Sequence, residues 1–190
     1  MIKNELLKRF LSSIILLPIV VFIIVQGSFL FNLFIIICFL VTSYEWLKMS
    51  KKKLIKFFGI VFLIISFYTI FKIRNEFDRD YFHLLLVAII CTSTDIGGYL
   101  FGSLFKGPKL TKISPNKTYS GAIGSFLLSI IFTNFFLFFS LNIISIEFFK
   151  DMILFILIVS FVSQVGDITI SYFKRRSKIK DTGNIIPGHG

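Results

Sequence analysis

The amino-acid sequence predicts an all-α, polytopic integral membrane protein of about six transmembrane helices, with both termini on the cytoplasmic side. Three observations carry that reading. Hydrophobic residues make 55% of the 190 positions and charged residues 16%, with a mean hydropathy of +0.85, whereas a soluble domain has about 25% charged residues. The apolar residues fall in blocks near the roughly 20 residues that cross a hydrocarbon core as a helix. The Lys and Arg residues are sorted to one side of those blocks. The same composition excludes disorder, collagen and a disulfide scaffold. The chain reads as one membrane domain over 1–190, with N-terminal spans in 1–80 and a motif-bearing part in 81–190.

The first block, Phe10 to Gln26, follows Lys3, Lys8 and Arg9, as a signal peptide would. No small-residue cleavage site follows and the second block begins almost at once, so it reads as a span. The second, Ser28 to Leu47, closes on Glu45 and Trp46 beside Lys48; Trp is an interfacial anchor, and the group marks a helix end. Cys38 here and Cys91 in the fourth block sit in apolar runs and read as buried free thiols, since two Cys offer too few ligands for a zinc site. The third block is Leu54 to Phe71. The fourth, Tyr81 to Phe101, starts with an interfacial His83 on the outer side and contains Asp95. The fifth is Ala122 to Ile144. The sixth, Phe148 to Ile170, carries Asp167 near its cytoplasmic end.

A net charge of +11 invites a nucleic-acid partner, but the distribution argues for topology instead. The N-terminal segment, Lys48 to Lys56, Lys106 to Lys117 and Lys174 to Lys180 fall on one side and hold 17 of the 21 Lys and Arg. Only Lys72, Arg74, Arg79 and Lys150 fall on the other. This is the positive-inside pattern. It leaves a cytoplasmic face of about +12, suited to anionic lipid head groups or polyphosphates.

Asp95 and Asp167 lie inside spans, where an acid costs roughly 2.5–3.5 kcal/mol at a helix centre. Either they pair with basic residues for assembly, or they build a polar site. Gly98 and Gly102 have the small-xxx-small spacing that lets helices approach, and Tyr99 falls one turn after Asp95. In the sixth block Ser160, Ser163, Gln164, Asp167, Ser171 and Lys174 form one polar stripe. A membrane helix must aim such a stripe at other helices. Lys174 lies about 10 Å along the axis from Asp167, so the two could hold a cation and a phosphate at neighbouring points. The basic cluster that follows also reads as a stop-transfer anchor. His189, flanked by Gly188 and Gly190, is a candidate for close contact with a ligand.

The longest loop, about Gly102 to Gly121, nearly matches a phosphate-binding Walker A loop. Gly102 and Gly107 are correctly spaced, but Pro108 stands where Lys belongs. What remains is a flexible cationic loop with hydroxyls beside Lys117, able to donate hydrogen bonds to phosphate oxygens.

The run Ser171-Tyr-Phe-Lys174-Arg175, Lys180-Asp181-Thr-Gly183 and Ile186-Pro187-Gly188-His189-Gly190 resembles the signature of the phosphatidate cytidylyltransferases, or CDP-diacylglycerol synthases. Gly166-Asp167, Asp95…Tyr99…Gly102 and Ser114-Pro-Asn-Lys117-Thr118 fit the same family. The resemblance covers the last hundred or so residues by motif and the whole chain by hydropathy. It implies an inner-membrane enzyme joining CTP and phosphatidate into CDP-diacylglycerol with release of pyrophosphate, in phospholipid biosynthesis. It implies Asp167 and Lys174 as catalytic residues, with Asp167 binding Mg2+, with or without a second cation. It places Ser114, Lys117, Thr118, Arg175, Lys180, Asp181 and His189 against phosphate or nucleotide, with Asp95 and Ser171 as accessory candidates. Membrane lipids and a second copy of the chain are the other partners it admits.

Two departures stand out. Ser120 occupies a position where the family often carries Glu. The family signature continues past His-Gly with another Gly, an Asp-Arg-x-Asp segment and usually a further span, and the first acid there partners the Asp167 position on the metal. The chain ends at Gly190, so the resemblance implies impaired metal binding and activity. Two other classes compete: a CTP-dependent polyprenol or phytol kinase, and a non-enzymatic membrane carrier or assembly protein.

Overall fold

The computed structural model describes residues 2–50, 52–75, 81–111, 114, 117–141 and 146–179. Among them are six helices: α1 (Ile2–Gln26), α2 (Ser28–Met49), α3 (Lys53–Asn75), α4 (Phe82–Phe105), α5 (Tyr119–Leu141) and α6 (Ile146–Arg176). The described residues of α2 to α6 supply five helices long and apolar enough to cross a membrane, and α1 adds a shorter apolar stretch, Ile14–Gln26. The chain is an all-helical, polytopic membrane protein. Its exterior is apolar: Phe22, Phe29, Phe57, Phe62, Phe135 and Phe161 are all exposed, as lipid contact requires and water would punish.

The helices outrun the hydropathy blocks at their ends. A block stops at its first charges, but a helix stops where its last carbonyls find other partners. α6 therefore takes in Lys174, Arg175 and Arg176 as its last turn. It ends where Lys178 turns left-handed (φ 58°) and Ile179 N donates back to the Lys174 carbonyl at 3.1 Å. α3 likewise runs on through Lys72 and Arg74.

The chain packs as two units. The first comprises Met1–Leu85 with Phe173–Gly190. Its core gathers Ile24, Phe31 and Leu84, with Val20, Ile35 and Ile73 against them. α1 meets α2 at Gly27, whose φ of 63° favours glycine. The exposed carbonyl end of α1 has no basic residue of its own. Arg74 of α3 supplies the charge: only 6% exposed, it donates from Nε to the Ile24 carbonyl at 2.7 Å and from Nη2 to that of Val25 at 3.2 Å. Its guanidinium also lies 5.9 Å from the centre of the Phe31 ring. This arginine neutralises a helix C-terminus, where sequence alone showed only a charge near a membrane boundary. Trp46 also does more than mark an interface. Its ring packs where a side chain on Gly59 would sit, its Nε1 donates to the Ile55 carbonyl at 3.3 Å, and it meets Phe173 edge to face at 5.3 Å.

The second unit is Leu86–Tyr172, drawn from α4, α5 and α6. Small and polar residues line its helix contacts, as is usual in lipid, where close backbone approach replaces the hydrophobic drive. A side chain at Gly97 would collide with the Gly124 carbonyl, and a Cβ on Gly121 would stand 2.7 Å from the Gly98 carbonyl oxygen. The small-residue spacing of α4 is thus where α5 packs. Thr94 donates to Ser160 Oγ at 2.8 Å, joining α4 to α6. Ser125 donates to the Thr94 carbonyl at 2.7 Å, joining α5 to α4. Cys38 and Cys91 are free and only half-buried.

Candidate active site

The site is assembled inside the second unit. α4 ends at Phe105, and Lys106 follows with φ 46°. The chain then returns toward α5 through a short antiparallel contact. Lys109 pairs with Thr118, Leu110 N donates to the Lys117 carbonyl at 2.7 Å, and Tyr119 N donates to the Pro108 carbonyl at 3.0 Å. Lys117 N donates to the Ser114 carbonyl at 3.0 Å. The expectation of a flexible loop is corrected for its described part, which is pinned by backbone hydrogen bonds on both sides of Lys117.

Thr118 is the N-cap of α5. Its Oγ1 accepts from Gly121 N at 3.1 Å, and its carbonyl accepts from Ala122 N at 3.0 Å, satisfying donors that a helix start leaves open. Ser120 holds the same corner from the other side. Its Oγ accepts from Gly107 N at 3.3 Å and lies 3.0 Å from Thr118 Oγ1, which ties the base of the loop to the start of α5.

The result is a cavity of about 190 Å³. α4 contributes Thr94, Asp95, Gly98 and Tyr99; the loop contributes Leu110, Lys117 and Thr118; α5 contributes Gly121, Ala122 and Ser125; α6 contributes Gln164 and Asp167. Across it, Lys117 Nζ lies 2.9 Å from Asp167 Oδ2, with the two side chains 28% and 57% exposed. Ligand pockets usually measure about 300–1,000 Å³, so this cavity suits a phosphate group with a cation better than a whole nucleotide.

Lys117, Thr118, Asp167 and the accessory Asp95 therefore share one cavity. Ser114 stays in the loop, where its carbonyl positions Lys117 but its side chain does not line the cavity. Ser171, one turn after Asp167 on α6, is half-buried and outside the lining. Lys174 and Arg175 occupy the last turn of α6 and belong to the first unit. Lys180, Asp181 and His189 lie outside the described residues. Sequence reasoning gave no role to Thr94 or Ser125, both almost fully buried beside the site. Their only signal was hydroxyls within spans, a feature shared by many residues that merely bond their own helix, as Thr42 bonds the Cys38 carbonyl.

Chemically, the cavity offers two carboxylates, one ammonium, hydroxyls and an amide. Two carboxylates against one lysine leave it net negative, so it cannot attract a polyanion unaided. No group of three or more His, Cys, Asp or Glu occurs among the described residues. Mg2+ is commonly held by one or two carboxylates together with water and substrate phosphates. Asp95 and Asp167 provide that donor set, so the residues fit such an ion, which would also reverse the sign of the local field.

A family model described as "Cytidylyltransferase family" matches residues 7–73 and 54–190. The phosphatidate cytidylyltransferase of Rickettsia conorii is 32% identical over 195 residues, covering 99% of this chain and 84% of the relative. That of Rickettsia typhi is 35% identical with the same coverage. That of Staphylococcus aureus is 33% identical over 160 residues, 80% of this chain and 58% of the relative. No solved structure matches. Intramembrane acids converging on a pinned lysine, and matches that run through all six helices, agree: the chain belongs to the cytidylyltransferase family and is a membrane nucleotidyltransferase.

Proposed function

We propose that the chain is a CTP:phosphatidate cytidylyltransferase of the inner cell membrane, forming CDP-diacylglycerol and pyrophosphate. The carrying observation is that Lys117, Asp95 and Asp167, distant in sequence, meet in one cavity. The curated relatives bear that activity in their names, and the positive-inside charge pattern supports a cytoplasmic site.

A phosphate monoester is largely dianionic near neutral pH, its second pKa being about 6, so the chain need not supply a general base. An oxygen of the phosphatidate phosphate attacks the α-phosphorus of CTP, and the bond to the departing pyrophosphate breaks. The barrier is the meeting of two polyanions. Asp95 and Asp167 would hold Mg2+, which when bound neutralises phosphate oxygens and the leaving group. Lys117, oriented by Asp167, donates to a phosphate oxygen whose charge grows in the transition state. Thr118, whose Oγ1 accepts from Gly121 N, can give its hydroxyl proton to a phosphate oxygen when Ser120 Oγ, 3.0 Å away, is the donor of that pair. Lys174 and Arg175, with Lys180, Asp181 and His189, keep their resemblance-based roles against phosphate in this proposal.

The test is the purified chain in mixed micelles with CTP, Mg2+ and phosphatidate. CDP-diacylglycerol and pyrophosphate should form, and Asp167→Asn should abolish both. Release of CDP with a phosphorylated lipid alcohol, when a polyprenol is supplied in place of phosphatidate, would instead identify a kinase. Absence of CTP turnover, with Lys117→Ala indistinguishable from wild type in CTP binding, would identify a carrier.

A further inference from the structure

Gln164 lines the same cavity as Asp95, Lys117 and Asp167, yet the proposed chemistry gives it no role. Its Nε2 is buried and has no hydrogen-bond partner among the described residues. A buried donor left unpaired is costly, and folded proteins keep few. Of the polar groups around it, Thr94 bonds Ser160, Ser125 bonds the Thr94 carbonyl and Asp167 pairs with Lys117. The surrounding turn of α6 offers no alternative, since Phe161, Val162 and Val165 are apolar and exposed. The donor is therefore kept for an acceptor that arrives with a ligand.

Its depth selects the ligand. α6 ends in the basic turn Lys174, Arg175 and Arg176, which belongs at the membrane interface. Gln164 lies three residues toward the apolar side of Asp167, about 4.5 Å along the axis. With a lipid phosphate beside Asp167 and Lys117, the first acceptors on the membrane side are the ester carbonyls of the glycerol backbone. The ribose and base of a nucleotide extend the other way, toward water.

We propose that Gln164 donates from Nε2 to an ester carbonyl oxygen of the lipid substrate, and so selects acyl-ester over alkyl-ether lipid phosphates. The inference rests on the cytidylyltransferase reading above. Gln164→Met removes the amide while keeping the length of the side chain, and Gln164→Leu removes it with a shorter apolar side chain; neither adds a charge to the cavity. Both are compared with wild type on diacyl and dialkyl-ether phosphatidate, with CTP varied separately. Wild type should show the lower KM for the diacyl lipid. Both variants should raise that KM by about threefold to tenfold, leaving the dialkyl KM and the CTP KM unchanged. The thermal midpoint of Gln164→Met should stay at or above that of wild type, because an unpaired donor has been removed. Equal effects on both lipids, a change confined to CTP, or no change at all would each overturn the inference. If wild type makes no CDP-diacylglycerol, the functional reading fails. Native mass spectrometry then decides the role of Gln164: retention of diacyl over dialkyl phosphatidate that is lost in the variants sustains it, and equal retention refutes it.

Discussion

Replacing Lys117 by Met should separate catalysis from stability. The Lys117–Asp167 pair spans 2.9 Å, but Asp167 is 57% exposed. Two unit charges at that separation attract by about 1.4 kcal/mol if water screens them fully. Immobilising two side chains offsets much of this, and exposed pairs typically contribute about 0.2–1 kcal/mol. The backbone bonds that pin the loop, such as Leu110 N to the Lys117 carbonyl, do not involve the ammonium. Lys117→Met should therefore shift the thermal midpoint by only a degree or two, a fraction of the few degrees that about 1 kcal/mol produces in a chain of this size. Catalysis should suffer far more. A preorganised donor to a developing charge is worth roughly 100- to 1,000-fold in kcat. Unfolding in detergent and radiolabelled CTP incorporation into lipid measure both quantities on one preparation. Lys117→Arg, which keeps the charge but not the compact ammonium, should recover part of the rate. Activity of Lys117→Met within threefold of wild type would refute the assignment. So would a midpoint drop of ten degrees or more, which would make Lys117 a structural residue.

Four further outcomes follow from the geometry. Asp95→Asn should raise the Mg2+ concentration for half-maximal activity at least about tenfold, since even outer partners of metal ligands are worth that much; an unchanged Mg2+ titration would remove Asp95 from the metal. Arg74→Lys should lower stability by about 2 kcal/mol or more, because charge-assisted bonds to the Ile24 and Val25 carbonyls are lost or distorted, and a melting curve in detergent would register it. Gly97→Val should abolish folded expression or activity, because its side chain would collide with the α5 backbone at Gly124 and overpacking is destabilising. Gly166→Ala, with nothing within 4 Å of the added carbon, should leave the folded yield intact.

Much of the fold was legible in the sequence because the transfer of side chains into lipid acts residue by residue. Six apolar blocks marked six helices, and of the polar stripe on α6 Ser160 is buried against Thr94 while Gln164 and Asp167 line the cavity. The block boundaries were less faithful. Apolar composition ends several residues before α6 stops hydrogen bonding at Arg176, and a charge such as Arg74 can be buried when a neighbouring helix offers it carbonyls. The site was legible in its members Lys117, Thr118, Asp167 and Asp95, which stood out as polar groups in spans or beside phosphate-binding residue types. Ser114 and Ser171 shared those types and lie off the cavity lining.

Sequence alone thus determined the class, the spans, the charge asymmetry and the family resemblance, since each depends on composition or on local pattern. Tertiary structure alone decided that Asp95 and Lys117 meet Asp167, that the cationic loop is held by bonds such as Tyr119 N to the Pro108 carbonyl, and that Gln164 keeps a donor without a partner among the described residues. The physical reason is rotational. Hydropathy specifies that a helix lies in lipid, but not its rotation about its own axis. That rotation is set by contacts such as Gly97 on Gly124 and Thr94 on Ser160, which join residues far apart along the chain.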